Sequence, residues 1–435
     1  MNTKNKLPSC IAVVGLGYVG LPLACAFGRI VPTIGFDVNE KRIDELTNRH
    51  DNNLEVPKGL LETSDLHLTA DPSRLRQASF VVIAVPTPID QFKRPDLAHL
   101  CDATRLVGRH LSEGAVVVYE SSVYPGCTEE VCIPLLEKES GLKAGTGFKV
   151  GYSPERINPG DTEHRLETVV KVVAAQDDET TDYIAGVYGL IVKAGIYKAA
   201  NIPTAEATKV LENVQRDMNI ALMNEVAVMF HQMGLTTSEV LKAARTKWNF
   251  LPFEPGLVGG DCIPIVPYYL THKAQQFGYH PEVILASRRI NDSMGKYVAQ
   301  ETVRLLALAG KPILGAKVLV LGVAFKENVR DVRNTRVTEL VQELERFGVD
   351  VVTYDPVARE ADVQGLGLKS VCDPFAGSER YDALVLAVAH KAFRSKPFEA
   401  YRKLFRDHAG PGVVVDVKGV LRDEAGTEGI LYWSL

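Results

Sequence analysis

Apolar positions along this chain fall into two rhythms. Short, nearly continuous apolar runs bounded by turn residues recur towards both ends: "CIAVVG", "PTIGFD", "SFVVIAV" and "AVVVYE" in the first third, then "AKVLVLG", "VDVVTYD", "YDALVLAV" and "GVVVDVKG" in the last. Runs of that length, rich in Val and Ile, predict strands buried on both faces, as in a parallel sheet covered by helices. Between such runs apolar residues return every three or four positions. "TRVTELVQELERFG" is one example, an amphipathic helix closed by Gly348. Strand and helix alternate, so each end reads as an α/β unit with a doubly wound parallel sheet.

The middle keeps only the helical rhythm. From Thr204 to about Met233 the apolar set is Val210, Leu211, Val214, Met218, Ile220, Ala221, Leu222, Val226 and Phe230. One helix of that length spans about 45 Å, enough to link two α/β domains. "PEVILASRRINDSMGKYVAQETVRLLALAG" predicts a second long helix. Apolar character on two sides predicts burial against a twin, hence a homodimer through the central helices. The expected architecture is α/β, with two Rossmann-like doubly wound domains joined by a long central helix. The expected boundaries are 1–200, 201–310 and 311–435.

The first strand runs into Gly15, Gly17 and Gly20, and helical spacing follows through Leu21, Leu23, Ala24 and Phe27. This is G-x-G-x-x-G between a strand and a helix, the context in which it binds a dinucleotide. The first Gly permits the tight turn, the second lets backbone approach a pyrophosphate, and the third lets helix pack on strand. Asp37 ends the next strand, 22 residues beyond Gly15. A carboxylate there accepts bonds from the ribose hydroxyls and repels a 2′-phosphate, so NAD is favoured over NADP, with Arg42 nearby as a counter-argument. The third and fourth strands lead to Thr87 and Ser122, plausible cofactor or substrate contacts because ligands of such sheets lie beyond the carboxyl ends of the strands.

The last third repeats the framing, with Asp355 after its second strand, but lacks the glycines of a dinucleotide turn after "VLVLG". It should bind something else, or part of a nucleotide. The loop "FKENVRDVRNTR" carries Lys326, Arg330, Arg333 and Arg336, which suit a diphosphate or simply make a solvated loop.

Composition excludes more than it proves. At 435 residues the chain exceeds one ordinary core. It is 46% apolar and 24% charged, the balance of a globular protein, and its net charge of −5 gives no nucleic-acid footprint. No apolar run reaches the roughly 18 residues that cross a bilayer. The polar lead "MNTKNKLPS" passes straight into a strand with no cleavage site, so the expected location is the cytoplasm. Seven scattered cysteines form neither a disulfide framework nor a CxxC metal site, and no metal is expected. Cys10, Cys25, Cys101, Cys127, Cys132 and Cys372 read as small buried hydrophobes.

The seventh, Cys262, stands in "GLVGGDCIPIVPYYL", directly after two glycines and Asp261. A thiol so presented is a candidate nucleophile, or a core residue beside a tight turn. On the first long helix Lys209, Asn213 and Arg216 stand at i, i+4 and i+7, so they share a face, either catalytic or merely solvated.

Together "GLGYVGLPLA", "VPTPID", "YSPERINPGD", "ENVQRDMNIALMNE", "KWNFLPFEPGLVGGDCIP" and "FKENVRDVRNTR" resemble the UDP-glucose/GDP-mannose dehydrogenase family along essentially the whole chain. "YSPERINPGDTEHR" with "LTHKAQQFGYHPEVILASRRIND" is most similar to the branch that acts on UDP-N-acetylhexosamines for bacterial surface polysaccharides such as capsule and O-antigen. The resemblance implies an NAD-binding first domain, a central domain with the cysteine loop and dimer interface, and a UDP-sugar-binding last domain. It implies a four-electron oxidation of the sugar C6, from alcohol to aldehyde, then through a cysteine thiohemiacetal and thioester to the acid. Cys262 would be the nucleophile, Lys209 its oxyanion partner, Asn213 the residue orienting sugar or water, and Glu155 the carboxylate assisting water, with Ser122 where the family usually has Thr. Arg156, Ile157, Arg216 and Gly259 would contact the sugar, Lys326 and Arg333 the diphosphate region and cofactor, and Tyr18, Val19, Asp37, Arg42 and Thr87 the NAD site.

The chain departs from that pattern around the thiol. Val266 stands where the family has Asp, and Asp261 where the branch usually has His. Glu254 likewise stands where similar sequences often carry Arg. A lost carboxylate removes a group worth about 10²–10⁴-fold in proton transfer. A gained one either faces the sulfur and disfavours the thiolate, or is a turn residue. Three readings stay open: a full four-electron dehydrogenase, a diverted or stalled NAD-dependent reaction, and a non-catalytic UDP-sugar binder.

Overall fold

The computed structural model describes residues 7–52, 56, 59–157, 163–406, 410–425 and 429–435. The chain divides into two compact units, Met1–Asn213 with Tyr268–His280, and Val214–Pro267 with Pro281–Leu435.

In the first unit eight strands form one sheet: β1 (Ile11–Val14), β2 (Thr33–Phe36), β3 (Leu66–Thr69), β4 (Phe80–Ile83), β5 (Val116–Tyr119), β6 (Lys149–Tyr152), β7 (Lys171–Ala175) and β8 (Ile196–Lys198). Their order is β3-β2-β1-β4-β5-β6-β7-β8. The first six are parallel, β7 turns antiparallel to β6, and β8 runs parallel to β7. Register aligns the last residues of four strands, Val14 with Phe36 and Ile83, and Ile83 with Tyr119. Whatever follows those four residues is therefore set along one edge, and the order in which strands are added reverses between β1 and β4, where such sheets take their ligand. The predicted buried runs are fully buried in β1, β2, β4 and β5. Phe27, Phe80 and Tyr188 interlock on one face with ring centroids 5.7–6.2 Å apart.

The second unit carries five parallel strands, β9 (Lys317–Leu321), β10 (Asp350–Tyr354), β11 (Ala383–Leu386), β12 (Gly412–Asp416) and β13 (Ile430–Ser434), in the order β10-β9-β11-β12-β13. This is the shorter doubly wound order, not a copy of the first. Alternate residues of β9 feed opposite cores: Val318 and Val320 join one cluster, Leu319 and Leu321 the other.

The two long helices are Ile202–Gln232 and Glu282–Leu308. The first begins in one unit and continues into the other, which makes it the long connecting helix of the fold. Among the described residues no helix is long and apolar enough to cross a membrane. The reading of the six remaining cysteines as buried needs correction: Cys25, Cys127 and Cys132 are buried, but Cys10 and Cys101 are only half so and Cys372 is exposed. Cys372 lies among the polar turns ahead of β11, with no apolar strand to carry it inward.

Both sheets use the same corner. Gly15 follows β1 with φ +93°, and Gly322 follows β9 with φ +90°. The missing dinucleotide glycines of the last third thus leave the first turn glycine in place. At Gly15 a Cβ would also lie 2.7 Å from the Ala84 carbonyl oxygen. Gly15→Ala therefore combines a left-handed backbone with a backbone clash, and should cost about 1–3 kcal/mol. Urea unfolding of the first unit's signal, with NAD binding measured in parallel, should show both weakened.

Candidate active site

Asp37 is set one residue past β2 and closes the glycine turn: its Oδ2 accepts the Leu16 N–H at 2.9 Å and its Oδ1 the Asn39 N–H at 2.9 Å. A ribose hydroxyl can still approach the lone pairs these bonds leave. Nothing lies within 4 Å of where a Gly17 Cβ would be, so the second glycine faces open space, as a pyrophosphate requires. Tyr18 and Val19 lead into the helix Gly20–Gly28, whose N-terminal N–H groups and dipole favour an anion. The donor set fits NAD. Arg42 is committed elsewhere: it is buried, its Nε donates to the Leu16 carbonyl at 3.2 Å, and it pairs with Asp51 at 2.9 Å and Glu45 at 3.4 Å. It braces the turn from beneath, which takes away the argument for a 2′-phosphate.

Along the same edge, Thr87 Oγ1 donates to the Ser122 carbonyl at 2.7 Å, which ties the loops after β4 and β5 together. The Tyr269 hydroxyl donates to the Pro88 carbonyl at 2.9 Å. Glu155, just past β6, is buried and accepts the Ile157 N–H at 2.7 Å on Oε1. Behind it lies a cluster the sequence did not reveal. Lys171 Nζ donates to Glu120 Oε2 at 2.8 Å, stands 4.0 Å from Glu155 Oε2, and sits over the Tyr188 ring, whose hydroxyl donates to the other Glu120 oxygen at 2.5 Å. Burial pushes the Glu120 carboxyl up, against the pull of Lys171. The only signal was polar residues at the very ends of buried strands, in "VVVYE" and "VKVV".

Arg156, expected to meet the sugar, pairs with Glu212 at 2.6 Å and donates to the Val170 carbonyl at 2.6 Å. Ile157 packs partly against the core. On the long helix Lys209 is buried and Asn213 half-buried, its Nδ2 reaching back to the Lys209 carbonyl at 3.4 Å. Arg216, one turn on, is exposed and belongs to the second unit.

Cys262, Gly259, Lys326 and Arg333 also belong to the second unit. Cys262 is half-buried, neither sealed in a core nor fully in solvent. Its carbonyl accepts the Val266 N–H at 2.9 Å, so the thiol stands at the entry to the helix Val266–Gln276. Gly259 and Gly260 are required by contact: a Cβ on Gly259 would meet the Asn334 carbonyl oxygen at 2.9 Å, and Gly260, at φ +94°, lies against the Phe325 ring. The Asp261 carboxylate pairs with Arg333 at 2.5 Å and accepts from Asn334 Nδ2 at 2.9 Å, so it is a clasp on side chains, not a cap on backbone. Arg333 also grips Asp331 at 2.6 Å. Val266, the first residue of that helix, is buried.

The cationic loop is less open than its composition suggests, since Arg330 donates to the Val357 carbonyl at 3.2 Å and Arg336 is paired with Asp292 and Glu339. Asp355, the counterpart of Asp37, accepts the N–H groups of Val323, Ala324, Val357 and Ala358 at 2.7–2.9 Å and the His390 ring at 3.0 Å. Asn328 N–H donates to His390 Nδ1, which leaves the proton on Nε2. Burial raises the Asp355 carboxyl, but the bonds from His390 and the backbone outweigh it and hold it below the usual range.

Three family profiles match the chain in order: the UDP-glucose/GDP-mannose dehydrogenase NAD-binding domain over residues 9–192, the central domain over 203–293 and the UDP-binding domain over 319–423. The UDP-N-acetyl-D-glucosamine 6-dehydrogenase of Pseudomonas aeruginosa is 48% identical over 95% of this chain and 97% of its own. The chain belongs to the UDP-glucose/GDP-mannose dehydrogenase family. It is an NAD-dependent UDP-sugar dehydrogenase, an oxidoreductase. Protein CapL of Staphylococcus aureus is also 48% identical, over 98% of this chain and 99% of its own. The solved UDP-D-ManNAc dehydrogenase of Pyrococcus horikoshii superposes with a TM-score of 0.87 at 30% identity, covering 98% of both chains.

One buried carboxylate near the edge is pushed well above the usual carboxylate range. Glu206 accepts the N–H of Gly126 at 2.5 Å and both the N–H (2.9 Å) and hydroxyl (2.6 Å) of Thr128, fixing the turn that follows Ser122. Burial pushes it up to about 7 despite those bonds. A folded-state value above the unfolded one means its contribution is fully present below the unfolded pKa, about 4.3, and is lost as pH rises through about 7. Thermal midpoints from pH 5 to pH 8 should therefore fall more for the wild type than for Glu206→Gln.

Proposed function

We propose that this dehydrogenase oxidises C6 of a UDP-N-acetylhexosamine through to the uronic acid, on a cysteine, in the cytoplasm. The observation that carries the reading is the half-buried Cys262 at a helix entry, in a chain 48% identical to a UDP-N-acetyl-D-glucosamine 6-dehydrogenase. The NAD-binding residues are Gly15, Gly17, Tyr18, Val19, Gly20, Asp37, Thr87 and Ser122, with Arg42 acting through the turn it braces. Bound NAD⁺ supplies the hydride acceptor for both oxidations.

The chain's own residues do the rest. In the first oxidation the C6 hydroxyl gives up its proton to bulk solvent as its hydride leaves, with Asn213 orienting the sugar or the water and Ser122 in the position where the family usually has Thr. The Cys262 thiolate then adds to the aldehyde carbon, and Lys209 balances the charge that develops on oxygen. Loss of the second hydride leaves a thioester. Glu155 draws a proton from water as that water attacks the acyl carbon; the C–S bond breaks and Cys262 leaves as thiolate. Arg156, Ile157, Arg216 and Gly259 contact the sugar, and Lys326 and Arg333 the diphosphate region and cofactor. The three expected domains keep the roles given above.

We also infer a homodimer through the long helices. Leu211, Leu222 and Met229 stand 11 and 7 residues apart on one stripe of the first long helix, and all three are exposed. Beside it, a groove of about 520 Å³ is lined by Val228, Met229, Ile290, Met294 and Tyr297.

Val266 favours a second reading, in which the thioester forms but is hydrolysed slowly. Turnover and the state of Cys262 separate the two: the complete reaction should release two NADH and one free acid per UDP-sugar over many turnovers, whereas the stalled one should also give two NADH per sugar but in a burst limited to about one sugar per enzyme, leaving Cys262 acylated. Cys262→Ser should lose at least 10²-fold of acid formation; full activity in that variant would end the proposal. Val266→Asp combined with Asp261→His should speed acyl-enzyme decay about 10-fold or more in single turnover.

A further inference from the structure

The strap that leads to Cys262, residues 255–261, has two adjacent glycines and no regular structure. Such a segment does not hold itself still, since glycine loses more backbone freedom on ordering than any other residue. It is held by side chains from outside. Asn224 on the first long helix bonds Gly256 twice, accepting its N–H at 2.8 Å and donating to its carbonyl at 3.1 Å. Arg336 Nε donates to the Val258 carbonyl at 3.0 Å.

Those two holders are themselves joined through the interior. Asn224 Nδ2 donates to Asn291 Oδ1 at 2.8 Å, and Asn291 Nδ2 donates to Asp217 Oδ1 at 2.7 Å. Asp217 is ion-paired with Arg288, Arg288 with Asp292, and Asp292 with Arg336 at 2.8 Å. The circuit therefore runs from Gly256 through both long helices and returns at Val258. Four of its members, Asp217, Asn224, Arg288 and Asn291, are at most 1% exposed. Charges buried so deeply are weak contributors to net stability, because desolvation offsets their attraction; what such a ring does supply is a fixed geometry.

We propose that Asn224 and Arg336 are positioning residues for Cys262. The ring ties the strap's height to the register of the two long helices, so the sulfur is placed by the helix pair and not by the flexible strap. The inference rests on the reading of Cys262 as the nucleophile.

Kinetics of purified full-length variants test it. Arg336→Met removes both the bond to Val258 and the pair with Asp292. It should lower kcat per folded enzyme by about 10–100-fold, the loss expected from an ångström of misplacement, while KM for NAD⁺ moves less than about 2-fold. Arg336→Lys, which can reach one of the two partners, should fall between Met and wild type. The alkylation rate of the Cys262 peptide by iodoacetamide, read by mass spectrometry, should change in the same order. Adding Asn224→Ser to Arg336→Met should lower kcat by less than the product of the single effects, since both act through one strap. A lower melting temperature with kcat per folded enzyme and Cys262 alkylation within about 2-fold of wild type would overturn the proposal. If Arg336→Met fails to fold, Arg336→Lys decides alone by the same two readings. Cys262→Ser, assayed alongside, fails separately: activity retained there would sink the nucleophile reading itself.

Discussion

A carboxylate that captures the N–H groups of a neighbouring turn is the constraint on which both sheets' ligand edges depend. In the first sheet Asp37, just past β2, accepts from Leu16 just past β1. In the second, Asp355 does the same for Val323 and Ala324. Each bond joins the carboxyl ends of two adjacent strands and forces the chain into the left-handed corner at Gly15 or Gly322. Without it the loop after the first strand would be free to take many paths, and no phosphate would meet a fixed row of N–H groups. Arg42 and His390 then lock each turn from behind, one by an ion-paired guanidinium and the other by an imidazole.

Around the thiol the logic differs. There the backbone is glycine-rich and the fixing is done by side chains alone: Asn224 and Arg336 at one end, Asp261 with Arg333 and Asn334 at the other. Asp261 thus acts as a fastening between this segment and the cationic loop. It also draws Arg333 into a three-member group with Asp331, so any phosphate that engages Arg333 must compete with two carboxylates.

What was legible in the sequence was whatever repeats with a period. Buried strands, the amphipathic helices and the two long central helices all announce themselves by spacing, and the glycine turn with Asp37 22 residues on is a local pattern of the same kind. The order of strands in the second sheet was not legible, because parallel pairing is decided by crossovers and not by any one run. Lys171 and Glu120 were invisible for a related reason: they lie 51 residues apart, and only the pairing order of β5, β6 and β7 brings them together behind Glu155. Asp217 and Asn224 could have been suspected, being polar at i and i+7 on the buried side of an otherwise apolar helix face, matched by Arg288 and Asn291 on the other long helix.

The two turn carboxylates, so alike in position, differ in how many donors they already serve. Asp37 accepts two backbone N–H groups, whereas Asp355 accepts four together with the His390 ring. A saturated acceptor has nothing left to offer a sugar hydroxyl. Grafting the absent glycines after β9 would therefore not convert the second half into another dinucleotide reader. A protein engineer would first have to strip Asp355 of its donors, and doing so would dismantle the corner that gives that half its ligand edge.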